Sequence, residues 1–116
     1  FLQPTAVKVR SEESTLMREE TFGPVCSFIG YRSEEEALAR INASPYGLAA
    51  SVWSDNIRQA LRYSEAIEAG IVWVNMHTFL DPAVPFGGMK GSGIGREFGS
   101  AFIDDYTELK SVMVRY

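Results

Sequence analysis

The sequence is poor in the residues that most often hold metals and cross-links. It has one cysteine, Cys26, and one histidine, His77, in 116 residues. A single cysteine forms no internal disulfide, which suits a reducing compartment, and the expected location is cytoplasmic. One histidine and one distant cysteine make no metal site between them. No apolar run approaches the roughly 20 residues that a membrane-spanning helix needs, so no membrane partner is expected. Positive charge is in deficit too: 11 Lys and Arg stand against 15 Asp and Glu, a net charge of -4. The basic residues are scattered and often sit beside acids, which argues against nucleic-acid binding. No internal repeat or low-complexity stretch is present. No targeting segment is visible either. The first residue is Phe1 rather than Met, and the expectation is a piece of a longer chain.

What is abundant is concentrated. Six of the ten glycines fall between Pro85 and Gly99. Glycine costs backbone entropy on folding, so this density implies tight bends or a close approach. The run also contains Lys90, Arg96 and Glu97, which a plain flexible linker does not need. It reads as a shaped loop. A phosphate cradle is excluded by spacing: Gly91-Ser92-Gly93 is followed by Arg96 where a dinucleotide fingerprint needs glycine, and no Gly-Lys-Ser/Thr occurs.

The rest of the chain has a regular rhythm. The hydrophobic fraction is 46% and the charged fraction 22%, ordinary values that allow one globular domain with a core. Thr5 to Arg10 alternates as a strand, and Val25 to Tyr31 is a short apolar strand. Ser33-Glu34-Glu35-Glu36 has the form of a capping box ahead of a helix that ends at Ser44-Pro45-Tyr46-Gly47. Leu48 to Trp53 predicts a strand. Asp55 then caps a longer helix with an apolar stripe of Ile57, Ala60, Leu61 and Ile67, closed by Gly70. Ile71 to Asn75 predicts another strand. Strand, helix, strand, helix, strand predicts an α/β fold of parallel βαβ units, a three-layer type of sheet with flanking helices. Such a sheet needs both faces covered, and this chain has too few other elements to do it. Arg96 to Asp105 predicts a short helix, and Leu109 to Tyr116 alternates as a C-terminal strand with an open edge.

Individual chemical candidates are modest. Cys26 sits in an apolar strand with nothing basic beside it, so the expectation is a small buried hydrophobe. His77 lies in the loop after Asn75, where packing or hydrogen bonding is expected. Glu19 and Glu20 precede Phe22-Gly23-Pro24, where a carboxylate can accept from a sugar diol and an aromatic can lie on a flat ring.

Together these motifs are more specific. Glu19-Glu20-Thr21-Phe22-Gly23-Pro24-Val25, Tyr46-Gly47-Leu48-Ala49-Ala50 and Ala69-Gly70-Ile71-Val72-Trp73-Val74-Asn75 come first. Pro85-Phe86-Gly87-Gly88-Met89-Lys90, Ser92-Gly93-Ile94-Gly95-Arg96-Glu97 and Tyr106-Thr107-Glu108 with Lys110 follow. In order and spacing they resemble the NAD(P)-dependent aldehyde dehydrogenase superfamily across essentially the whole chain. The resemblance is to the C-terminal part of such an enzyme: residues 1–105 to the remainder of the catalytic domain, and 106–116 to an oligomerisation strand.

The resemblance implies roles. Glu20 would bind the nicotinamide ribose of NAD or NADP, and Phe22 would pack near the nicotinamide. Leu80 and Phe86 would line the aldehyde tunnel. Glu97 would take part in a proton relay. Lys90 and Gly93 would help hold a monovalent cation between subunits. The last strand would join subunits of a homo-oligomer. The stretch His77 to Pro85 leans toward aromatic aldehydes such as phenylacetaldehyde. The family's nucleophilic cysteine, general-base glutamate and dinucleotide-binding domain match nothing in this sequence, and Cys26 is outside the nucleophile's motif. The resemblance thus implies that the chain alone is inactive. The alternative is a non-catalytic assembly or binding module that uses its open sheet and last strand.

Overall fold

A computed structural model describes residues 1–116. The chain divides into two compact units, residues 1–40 and 41–116.

The first unit is built on two four-residue strands, β1 (Thr5–Lys8) and β2 (Val25–Phe28), paired in parallel with Thr5 opposite Val25 and Lys8 opposite Phe28. One turn of helix, α1 (Thr15–Arg18), lies between them. Ser27 Oγ donates to the Leu16 carbonyl at 3.2 Å and ties α1 to β2. Side chains alternate along β2: Val25 and Ser27 are half-buried, and Cys26 and Phe28 are exposed. The expectation of a buried Cys26 is therefore corrected. The period of two puts its thiol on the open face of the pair. Helix α2 (Glu34–Asn42) begins as the capping box predicts: Ser33 Oγ accepts from Glu36 N at 3.2 Å. The return bond goes one residue further back than the motif prescribes, from Arg32 N to Glu36 Oε2 at 2.7 Å. Arg40 then draws Glu36 and Glu12 together through contacts of 2.7 and 2.9 Å.

The second unit holds the remaining elements: β3 (Tyr46–Gly47), β4 (Ala49–Val52), α3 (Ile57–Ala66), β5 (Ile71–Val74), β6 (Met89–Lys90) and α4 (Phe102–Asp105). Strands β4 and β5 pair in parallel through the crossover helix α3, the predicted βαβ unit. Ala60 of α3 is 0% exposed, and Ile67 and Trp73 are buried with it. The cap is Asn56 rather than Asp55: its Oδ1 accepts from Gln59 N at 3.3 Å. Gly70 does not close α3, which ends at Ala66 with Ile67 as its cap. Glycine is required there for close approach, because a Cβ would collide with the Gly87 carbonyl.

Parallel pairing and flanking helices give the expected α/β class, but the strands divide differently. The Val25, Ala49 and Ile71 strands do not form one sheet: the first pairs with β1, and the other two pair with each other. The helix expected over 96–105 shrinks to α4, because Glu97 is taken up in a backbone bridge and Gly99 turns left-handed at φ 63°. Residues 109–116 find no ladder partner in this chain, and all are exposed. The C-terminal strand expected there is therefore not formed within this chain, because no neighbouring strand supplies a ladder. Apolar surface is left bare elsewhere too, at Phe22, Phe79 and Ile94 among others. No helix is long and apolar enough to cross a membrane.

Candidate functional site

The glycine run folds into a closed hairpin whose base is the pair Phe86 and Glu97. Phe86 N donates to Glu97 O, and Glu97 N donates to Phe86 O, both at 2.7 Å. Residues that exchange both bonds stand directly opposite, with their side chains on the same face. An aromatic ring and a carboxylate eleven positions apart in sequence thus become neighbours. Inside the hairpin, Arg96 Nη1 donates to Gly88 O at 2.8 Å and Gly95 O at 2.7 Å. Gly87 and Gly88 have no room for a side chain: a Cβ on either would press on the carbonyl of Gly95 or Ser92. The glycine density therefore reflects backbone packed on backbone, as expected of a shaped loop.

Lys90 fastens this hairpin to the rest of its unit. Strand β6 pairs antiparallel with β3, placing Lys90 opposite Tyr46. The Lys90 ammonium lies 2.9 Å from Glu68 Oε2 and donates to the carbonyls of Asn42 at 2.7 Å and Ser44 at 3.3 Å. Its three donors are thus directed at partners of its own chain. Gly93 lies at the hairpin tip with φ 126° and open space around it. Among His, Cys, Asp and Glu side chains there is no cluster of three that could hold a metal. Leu80, the other tunnel candidate, is 44% exposed and follows Phe79, whose carbonyl accepts from Trp73 Nε1 at 2.7 Å.

Glu20 and Phe22 belong to the other unit. They sit between α1 and β2, where Gly23 N donates to Thr21 O at 3.0 Å and folds the chain into a three-residue turn. Phe22 is at the apex of that turn and is 95% exposed. The Glu20 carboxylate is exposed, an acceptor with two free oxygens. An acceptor two residues from an uncovered ring is a combination that fits the donating hydroxyls of a ribose diol and the face of a flat heterocycle. It fits only that end of a dinucleotide, since no glycine fingerprint for the pyrophosphate is present.

Several anchoring groups escape sequence reading. Asn42 serves two backbone groups at once: Nδ2 donates to Ala66 O at 2.8 Å, and Oδ1 accepts from Glu68 N at 2.9 Å. Asn75 does the same for Ser54, with both bonds at 2.9 Å. His77 engages Ser51 through a hydrogen bond, as loop bonding predicts, but the identity of its partner 26 positions away carries no local signal. Glu36 is held below the usual carboxylate range, first by the Arg32 backbone N–H and then by the charges of Arg40 and Arg32, against a desolvation that acts the other way.

Comparison with known proteins gives this geometry a context. The sequence profile of the aldehyde dehydrogenase family matches residues 1–112. The chain is 46% identical over 115 residues to the 2-hydroxymuconic semialdehyde dehydrogenase of Pseudomonas putida, covering 99% of this chain and 24% of that protein. It is 42% identical over 117 residues to the phenylacetaldehyde dehydrogenase of Pseudomonas fluorescens, covering 100% of this chain and 23% of that one. Its fold superposes on the crystal structure of a Mycobacterium tuberculosis aldehyde dehydrogenase complexed with NAD+ with a TM-score of 0.90 and 43% identity, over 99% of this chain and 24% of the other. The chain thus spans about a quarter of the length of the relatives it matches. With a profile match over nearly its whole length and this level of identity, the chain belongs to the aldehyde dehydrogenase family.

Proposed function

We propose that this chain is part of an NAD(P)-dependent oxidoreductase that converts an aldehyde to a carboxylic acid, contributing cofactor, substrate and subunit contacts. The reciprocal Phe86–Glu97 pair carries this reading, because it sets an apolar surface for an aldehyde's carbon skeleton beside a group that can pass a proton. Glu20 would accept hydrogen bonds from the ribose hydroxyls, and Phe22 would cover one face of the nicotinamide. When bound, the nicotinamide supplies the hydride acceptor. Leu80 and Phe86 would exclude water from the aldehyde's apolar tail, and Glu97 would relay a proton toward bulk solvent. Lys90 and Gly93 would offer a monovalent cation their backbone carbonyls, since the Lys90 ammonium is already engaged. Residues 109–116, unpaired and exposed, would add a strand to a partner subunit in a homo-oligomer. An exposed free Cys26 suits a cytoplasmic setting. The similarity to a phenylacetaldehyde dehydrogenase, at 42% identity, favours an aromatic aldehyde.

Covalent oxidation of an aldehyde needs an activated thiolate and a positioned base. The isolated chain is therefore expected to give no turnover with either nicotinamide cofactor and any aldehyde. The positive test is a chimera in which this chain replaces its matching quarter of the Pseudomonas fluorescens enzyme. Oxidation of phenylacetaldehyde, with kcat lowered and KM unchanged by Glu97→Gln, would support the reading. A folded chimera without activity would overturn it.

A further inference from the structure

The segment that follows β5 is pinned at three places by side chains that the proposed chemistry does not use. Asn75 grips both backbone groups of Ser54. His77 Nδ1 and Ser51 Oγ share a hydrogen bond of 2.6 Å. Trp73 Nε1 donates to Phe79 O at 2.7 Å. The pins are also joined to one another: the rings of Trp73 and His77 meet edge to face, with centroids 5.3 Å apart and planes at 78°. Ser51 and Trp73 are register partners on β4 and β5, so both pins grow from the same rung of the parallel pair.

The backbone between the pins is in a conformation it would not hold unaided. Thr78 has φ 57°, the left-handed region that a β-branched residue avoids, and Asn75 has φ 53°, a value that asparagine tolerates. Such residues persist where their surroundings over-determine them, and they cluster where a precise shape matters. A connection serving only to reach the glycine hairpin would need neither the strain nor three anchors. The last anchor acts on Phe79, and the next residue is Leu80.

We propose that Ser51, His77 and Trp73 are positioning residues for aldehyde selectivity, fixing the 75–79 backbone so that Leu80 occupies one place beside the substrate. The inference rests on the reading of Leu80 as a tunnel residue. A leucine on a free loop withdraws from a bulky aldehyde and advances on a small one, so its discrimination averages out. A leucine on a pinned loop keeps the tunnel at one width, and differences in substrate size are then felt in full.

The test uses the same chimera and compares kcat/KM for phenylacetaldehyde with that for acetaldehyde. His77→Ala, Ser51→Ala and Trp73→Phe each remove one pin, the last while keeping a ring in place. Each is expected to move the ratio of the two values toward one by about 3- to 10-fold, the worth of a single hydrogen bond, through KM rather than kcat. His77→Asn, whose amide can still bond Ser51, should restore most of the ratio. The Ser51→Ala/His77→Ala double variant should lose no more than either single one, since both remove the same bond. A purely structural role would lower thermal stability and leave the ratio alone. If His77→Ala fails to fold, Trp73→Phe and His77→Asn decide the matter. An unchanged ratio in Trp73→Phe, or in His77→Ala where it folds, overturns the positioning inference while the functional reading stands. A chimera that turns over neither aldehyde overturns the reading and this inference with it.

Discussion

The two parallel strand pairs look alike on paper and differ in what they bury. Strands β1–β2 and β4–β5 each have four residues a side, four register partners and a helix between them. In the first, the helix is a single turn with no side-chain cap, and Cys26 and Phe28 face outward. In the second, the crossover is ten residues long, capped by Asn56, with Ala60 completely buried on it and Trp73 of β5 8% exposed. A strand pair alone is marginal in water, and a long amphipathic helix laid over it is what creates a core. The first pair is therefore ladder without cover, and the second is ladder with cover.

Substitutions can break that contrast. The largest effect is expected from Trp73→Ala, which empties the covered pair and should cost about 3–5 kcal/mol in urea denaturation. Phe28→Ala on the uncovered pair should stay within about 0.5 kcal/mol, as exposed sites do. Comparable losses for the two would erase the distinction.

Two glycines sharpen it next. Gly70→Ala forces a methyl group into the Gly87 carbonyl and should cost about 1–3 kcal/mol or more by the same measurement. Gly23→Ala meets no atom within 4 Å and lies outside the left-handed region, so stability should hold or rise by about 0.4–1 kcal/mol. Smaller again is the loss of a cap. Asn56→Ala should cost about 1 kcal/mol of thermal stability, and Ser14→Ala, whose side chain caps nothing, close to none.

The smallest effect is one of pH and belongs to the first unit. Glu36 is depressed in the folded chain, so its contribution is fully present above the unfolded value near 4.5 and is lost as pH falls through the lower folded value. Melting temperatures measured from pH 6 downward should show this acid-side loss in the native chain, and Glu36→Gln should flatten it.

What the sequence makes legible is local. The α3–β5 segment can be read from its apolar stripe and β-branched run, and α2 from Ser33 and Glu36, because those signals lie within one turn of the structure they specify. Pairing is not local. Nothing near Val25 says that it meets Thr5 rather than a third strand, and nothing near Glu97 says that it leaves a helix to face Phe86. At the candidate site, motif order singles out Glu20, Phe22, Leu80, Phe86, Lys90, Gly93 and Glu97 as candidates only through their resemblance to a family. The pins on the loop before Leu80 are not, since the Ser51–His77 bond crosses 26 positions and depends on β4 and β5 being paired first.

The Asn42 amide carries a consequence in time. It works by presenting a donor to Ala66 O and an acceptor to Glu68 N at once. Deamidation to aspartate would exchange that donor for a second oxygen, which can only repel the Ala66 carbonyl. The mass of the protein would barely change, yet one end of the fastening would turn from a clasp into a wedge. Asn42 is thus a place where chemical age, rather than mutation, would loosen the hold on the chain at the end of α3.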